Sequence, residues 1–102
     1  MNPKRTPQTV TKALSTIGED IATWRKLRRL TVAELADRAD VSPVTIYHLE
    51  KGQGSTLESL LRVARALGVL ELITSAANPY NSDVGRLRAD ETLPDRVRRR
   101  SK

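Results

Sequence analysis

The sequence lacks cysteine and phenylalanine, and it has only one tryptophan, two tyrosines and one histidine among its 102 residues. Without cysteine the chain can form neither a disulfide nor a thiolate zinc site, and it has no thiol nucleophile. A single histidine and the absence of a glycine-rich phosphate loop leave little from which an enzyme site could be built. We therefore predict a protein that is not an enzyme and that carries no metal and no cofactor.

Long apolar runs are also missing. No segment approaches the roughly 18 apolar residues that a membrane span requires, and residues 1–12 lack the apolar stretch of a signal peptide. The absence of cysteine fits a reducing compartment. The sequence thus predicts a cytoplasmic protein that does not bind membranes.

Positive charge is concentrated at the two ends of the chain. The formal net charge is +6; residues 1–12 contribute +3, residues 13–77 contribute zero and residues 78–102 contribute +3. This division predicts a flexible basic N-terminal arm (1–12), a folded neutral domain (13–77) and a flexible basic C-terminal tail (78–102). Basic arms commonly contact phosphate, although solvated tails that only keep the protein soluble remain an alternative.

The apolar spacing predicts helices and no strands. A first helix is expected from about Val10 to Arg29, with Ile17, Ile21 and Trp24 on its inner face. Thr31 and Glu34 form a capping box at the start of a second helix. That helix should stop at Asp40, which tolerates the left-handed backbone conformation.

A third helix begins with a typical pair of residues. Ser42 can cap its N-terminus and Pro43 occupies the first position, where a missing N–H costs nothing. Ile46 and Leu49 should face inward. A fourth helix follows, capped by Ser55 or Thr56, and its predicted buried stripe is Leu57, Leu60, Val63, Ala64 and Leu67.

The end of the domain is less regular. Residues 69–73 form a fifth helix or, as an alternative, a strand, and the turn formers in 78–83 mark the end of the compact domain. The predicted architecture is therefore all-α, a domain of five helices.

Two short helices joined by a tight turn, the second opening with Ser-Pro, have the layout of a helix-turn-helix. The stretch "LTVAELADRADVSPVTIYHLEKG" (30–52) resembles the core of the phage-repressor-like (XRE/Cro-type) helix-turn-helix family, and the likeness covers roughly 17–73. The departures are Asp40, where the family usually has Gly, and Val32, where it often has a Gln that contacts a phosphate. The resemblance implies a lambda-repressor-like fold and a bacterial or phage origin.

Within the third helix, the family pattern implies base contacts by Val44, Thr45 and His48, with Pro43 at the leading edge. Helical geometry agrees, because Val44 and His48 lie opposite the inward residues and Tyr47 lies beside them. Val44 suits a thymine methyl group, whereas Thr45 and His48 suit single hydrogen bonds to base edges. The alternative for Tyr47 and His48 is that both side chains only cover the protein surface and contact no base.

Other positions are predicted to contact the DNA backbone or to hold the fold together. Arg25 and Glu50 resemble an ion pair with which the family ties its first helix to the end of its third. The predicted phosphate contacts lie near helix ends and after the recognition helix. They are Arg28, Arg29, Thr31, Ser42, Lys51, Gln53 and Ser55.

The C-terminal tail resembles that of HipB-like antitoxins, helix-turn-helix proteins that pair with HipA-like toxin kinases. The matching elements include the turn at 83–85 and a basic end. The tail residues predicted to bind a partner are Val84, Leu87, Leu93, Arg96, Val97 and Arg98. They could pack on the domain, on a second subunit or on a toxin.

These patterns predict a dimeric transcriptional repressor that binds double-stranded DNA at a palindromic operator. The resemblance of the tail implies the antitoxin of a HipBA-like pair, which represses its own operon and binds a HipA-like kinase toxin. The alternatives are a stand-alone phage or chromosomal repressor and an adaptor that binds other proteins.

Overall fold

The computed structural model describes residues 5–92, and every regular element in that range is helical. The α-helices are α1 (Gln8–Leu27), α2 (Val32–Ala39), α3 (Pro43–Glu50), α4 (Leu57–Leu67), α5 (Leu70–Ala76) and α6 (Asp83–Thr92). A single 3-10 turn, Pro79–Asn81, precedes α6. The all-α prediction is confirmed, and the segment at 69–73 is helical instead of a strand.

The chain divides into two compact units, with the boundary after Leu70. This boundary lies before the predicted end of the domain at Ala77. Helix α5 buries none of its residues, whereas Val69, which precedes it, is buried.

The first unit contains the helix-turn-helix. Helix α2 packs against α3 and α4, and α3 packs against α1. Leu35, Ile46, Val63 and Leu67 are fully buried at the centre of this arrangement. Each comes from the predicted inner face of its helix, so burial of these side chains fixes α2, α3 and α4 around one core.

Local capping chemistry explains where α2 and α4 begin and end. Thr31 and Glu34 form the predicted capping box, and the hydroxyl of Thr56 accepts the backbone N–H of Ser59 at 3.1 Å. Asp40 ends α2 at φ 58° in the left-handed region, where its carboxylate also accepts a hydrogen bond from Arg62 of α4.

Two predictions about α1 and α4 are wrong. Helix α1 begins at Gln8, so residues 8–12 of the predicted flexible arm are helical; the carbonyl of Pro7 accepts the N–H groups of Val10 and Thr11 and starts the helix. Ile17 and Leu57, predicted on buried faces, are 46% and 68% exposed. Leu57 is the first residue of α4, Ile17 lies midway along α1, and both line a surface groove.

The second unit contains most of α5, the 3-10 turn and α6. The tail was predicted to be flexible, but residues 83–92 of it are helical. Ser82 accepts the N–H of Gly85 at 2.9 Å and thereby caps α6. The turn predicted at 83–85 is therefore the first turn of a helix. Gly85 is required there because an added Cβ would collide with the carbonyl group of Pro79.

Candidate nucleic-acid interface

Ser42 and Thr45, which the sequence predicted to contact DNA, form hydrogen bonds at the N-terminus of α3. The hydroxyl of Ser42 accepts the backbone N–H of Thr45 at 3.1 Å, and the two hydroxyl groups lie 3.0 Å apart. Pro43 occupies the first turn. Ser42 and Pro43 are exposed, whereas Thr45 is half-buried, so Thr45 offers a base less of its side chain than the sequence suggested.

The body of α3 separates an anchoring face from a free face. Ile46 is fully buried and Leu49 is 8% exposed. Val44 and Tyr47 are 59% and 54% exposed on the other side, and His48 is exposed beside them. A free face of this kind, carrying a branched apolar side chain and polar rings, can enter a major groove. The assignment of these residues to base contacts stays a prediction.

The C-terminal end of α3 places the three predicted phosphate contacts that follow it in exposed positions. Lys51 caps the helix, the backbone N–H of Gln53 donates to the carbonyl of His48 at 2.9 Å, and Ser55 lies in the loop before α4. Gly52 has φ 74°, and a Cβ on it would lie 2.9 Å from the Cα of Ser15 in α1. Glycine is therefore needed for both its conformation and its close approach.

An ion pair fixes α3 to α1, as the family resemblance implied. The guanidinium of Arg25 donates from Nε to Glu50 Oε2 at 2.7 Å and from Nη2 to Oε1 at 3.1 Å, and Nη1 donates to the carbonyl of Leu30 at 3.0 Å. The Arg25 and Glu50 side chains are 15% and 13% exposed. The hydrogen bond to Glu50 raises the pKa of Arg25, so the pair stays charged and orients the last turn of α3.

A close backbone contact reinforces this attachment. A Cβ at Gly18 would collide with the carbonyl oxygen of Leu49 and would lie 2.8 Å from that of Glu50. Helix α1 therefore crosses the end of α3 with no room for a side chain. A glycine inside a long helix is a signal of close packing, and Gly18 is the residue of α1 that carries this signal in the sequence.

Thr31, a predicted phosphate contact, is engaged in capping α2. Its hydroxyl accepts the N–H of Glu34 at 3.0 Å, and its own N–H donates to the Glu34 carboxylate at 2.8 Å. These bonds to Thr31 lower the pKa of Glu34. The carboxylate charge thus stands at the helix start, where a phosphate would be repelled, and this weakens the prediction for Thr31.

Arg28 and Arg29 occupy different environments from those expected of two neighbouring phosphate ligands. Arg28 Nε donates to the carbonyl of Leu67 at 2.9 Å, and its guanidinium lies 5.2 Å from the ring centroid of Trp24. Arg28 therefore caps the end of α4. Arg29 is exposed and adopts φ 60°, an unusual conformation for arginine that turns the chain from α1 into α2.

The tail residues fall into two groups. Val84 and Leu87, one turn apart on α6, are 68% and 61% exposed. Leu93, Arg96, Val97 and Arg98 lie outside the described residues. Exposed apolar side chains on α6 are compatible with a partner-binding surface but do not identify a partner.

Residues 5–92 contain neither a metal-site cluster nor a membrane span. Within that range, no group of histidine and carboxylate residues has the arrangement of a metal site. No helix among the described residues is both long and apolar enough to cross a membrane.

Comparison with known protein families identifies the family of the first unit. Residues 21–72, which contain α2, α3, α4 and the ion pair, match a helix-turn-helix family. The chain belongs to the helix-turn-helix family, of the XRE type. The matched family consists of DNA-binding transcription regulators and not of enzymes, and the helical architecture is that of a lambda-repressor-like domain. No curated protein and no solved structure matches the chain.

The family match begins inside α1. Residues 8–20, the first part of this helix-turn-helix protein's longest helix, precede the matched segment. They include Ser15 and Gly18, which pack against the end of α3. The start of α1 therefore supports α3 from outside the segment that matches the family.

Proposed function

We propose that the protein is a sequence-specific transcriptional repressor that inserts α3 into the major groove of double-stranded DNA. The observation that carries this proposal is the exposed face of α3, formed by Val44, Tyr47 and His48, on a helix anchored to α1 by Arg25 and Glu50. Helices held in this way read base edges through their free face.

Selection from a random duplex library tests the proposal. Wild-type protein should enrich one motif, and Val44→Ala and His48→Ala should each change the preferred base at one or two positions. Each lost contact should cost about 1 kcal/mol, the low end of the range for a base contact. Leu27→Ala is the matched control, because Leu27 is 66% exposed on another helix and should leave the motif unaltered.

The dependence of affinity on salt concentration distinguishes base contacts from phosphate contacts. The Val44→Ala and His48→Ala variants should keep the wild-type slope of affinity against salt concentration, because neither side chain neutralises a phosphate. Enrichment of no motif by the wild-type protein would overturn the proposed function. An unchanged motif in both variants would overturn the assignment of the reading residues.

We also propose that the repressor is a two-fold dimer, which would place two copies of α3 about 34 Å apart on a palindromic operator. An apolar groove of about 250 Å³ supports this; its lining includes Leu14 and Ile17 of α1 and Leu57 and Leu60 around the start of α4. Both Ile17 and Leu57 are substantially exposed in the single chain. Burial of such a face against a second copy would stabilise a small domain.

Light scattering of purified variants tests the dimer. Wild-type protein should have twice the mass of the chain, and Leu57→Glu should reduce it to the monomer value. Leu27→Glu is the control, since its exposure of 66% nearly equals the 68% of Leu57. A monomeric wild-type protein, or a Leu57→Glu variant that remains dimeric, would contradict the proposed interface.

A second candidate function is that of an antitoxin that binds a HipA-like kinase and represses its own operon. The exposed pair Val84 and Leu87 on α6 favours a protein partner for the tail. Affinity capture from the native host should recover a kinase with the wild-type protein and lose it with the Val84→Glu/Leu87→Glu variant. Leu72→Glu is the matched control, because Leu72 is 60% exposed on α5. Recovery of no kinase would leave the stand-alone repressor as the function.

A further inference from the structure

Lys51 supplies a positive charge at the C-terminal end of α3. It is the only lysine or arginine between Arg38 and Arg62, a segment that includes the whole of α3 and the loop after it. Phosphate contacts commonly rely on such cationic side chains. Lys51 is therefore the cation that α3 and the loop after it offer to the DNA backbone.

The ring of Tyr47 holds that ammonium group. Lys51 Nζ lies 5.3 Å from the ring centroid of Tyr47, within the distance at which a cation is attracted to an aromatic face. The two residues are four apart, so their side chains share one face of the helix. A lysine side chain has many rotamers when free, and the stacked arrangement selects few of them.

Within residues 5–92, no carboxylate forms an ion pair with Lys51. The adjacent carboxylate, Glu50, already accepts two hydrogen bonds from Arg25. The backbone of Lys51 is also constrained, because Gly52 after it is packed against Ser15 of α1. The direction of the Lys51 side chain is thus set mainly by Tyr47.

We propose that Tyr47 is a positioning residue whose ring holds the Lys51 ammonium group ready for a DNA phosphate, and that it does not read a base. The proposal rests on the DNA-binding function proposed above. According to this proposal, Tyr47 contributes to the affinity for DNA and not to the sequence preference, because a ring that supports a phosphate contact acts equally on every DNA sequence.

A double-mutant cycle measures this coupling. The proteins are wild type, Tyr47→Leu, Lys51→Met, the double variant and the control Tyr47→Phe, which keeps the aromatic face and removes the hydroxyl. Dissociation constants are measured over a range of salt concentrations on the selected operator and on an unrelated duplex. In the free proteins, NMR records the shift of the Lys51 side-chain methylene protons, which a ring face displaces upfield.

The expected pattern is specific. Tyr47→Leu should weaken binding to both duplexes about two- to five-fold, the range given by a cation–π contact at an exposed site, and Tyr47→Phe should change it less than about two-fold. Lys51→Met should reduce the salt slope by about one phosphate contact. Adding Tyr47→Leu to Lys51→Met should then change nothing further, and the upfield shift should disappear in Tyr47→Leu alone.

Other outcomes overturn the inference. An equal effect of Tyr47→Leu with and without the lysine would show that Tyr47 does not act through Lys51. A loss confined to the operator and shared by Tyr47→Phe would make Tyr47 a base-reading residue. Lys51 protons at their random-coil position in the wild-type protein would show that the ring does not hold the ammonium. If the wild-type protein binds neither duplex while the upfield shift is present, the proposed function fails and the phosphate role fails with it.

Discussion

Removal of Arg25 is the most informative perturbation of the fold, because this side chain makes three hydrogen bonds that join α1 to the end of α3 and to the chain before α2. The variant Arg25→Met keeps an unbranched side chain and a similar helix propensity. It leaves the Glu50 carboxylate in a pocket where its side chain is only 13% exposed. The cost therefore arises mainly from a charge that has lost its partner.

The expected loss of unfolding free energy follows from how far the ion pair is buried. Loss of one partner of a fully buried ion pair costs about 3–5 kcal/mol. Water reaches part of both side chains, so we expect about 2–4 kcal/mol for Arg25→Met. Glu50→Gln keeps one acceptor oxygen for Arg25, but it removes the charge and replaces the second acceptor with an NH2 donor, so about 1–3 kcal/mol is expected. The double variant Arg25→Met/Glu50→Met strands no charge and should lose less than the sum of the two single methionine variants.

Urea titration followed by far-ultraviolet circular dichroism measures these differences. With a slope near the low end of about 1–3 kcal/mol per molar urea for small proteins, Arg25→Met should lower the midpoint by more than about 1 M. Lys26→Met is the matched control, since Lys26 is the exposed neighbour on the same helix. An Arg25→Met variant within about 0.5 kcal/mol of this control, the scatter of ordinary surface substitutions, would refute the reasoning.

Three further substitutions have expected outcomes. Gly18→Ala, which would stabilise an ordinary helix, should lower the melting temperature, with a cost of about 1–3 kcal/mol from collision with the Leu49 carbonyl; a rise in the melting temperature would contradict the close approach. Gly52→Ala should destabilise as well, because φ is 74° and the Cβ would contact α1; chemical denaturation checks it, and wild-type stability would show that the loop relaxes. The capping box predicts a pH dependence for Glu34→Gln. The pKa of Glu34 is lowered by its bonds to Thr31, so its stabilisation is complete above the unfolded pKa of about 4.3 and is lost as pH falls through the folded value. Thermal melts should show wild type above Glu34→Gln at pH 7 and the gap closing below about pH 4; a gap constant with pH would exclude the carboxylate as its cause.

Local chemistry explains which parts of the fold the sequence predicted. The caps at Thr31 and Ser42 and the left-handed end of α2 at Asp40 depend on residues within one or two turns, so the sequence alone contains the information. The buried faces of α2 and α3 follow from helical spacing. These features define the helix-turn-helix and leave its outer face free.

Contacts between distant residues account for what the sequence did not predict. Gly18 is explained only by the α3 carbonyl groups that it meets, and Arg28 only by the end of α4. Nothing local distinguishes Arg28 from Arg29, yet one is held against the protein and the other turns the chain. The start of α1 was misjudged because its polar and proline-rich composition is typical of a lead-in, and its helicity depends on Pro7.

The close crossing of α1 and α3 at Gly18 and Gly52 has a consequence for how binding specificity can change. The recognition helix is positioned through its backbone and through Arg25 and Glu50. The outward side chains Val44 and His48 take no part in that attachment. Both positions can therefore be substituted without loss of folding. The operator preference that we propose for α3 can then be changed independently of the fold.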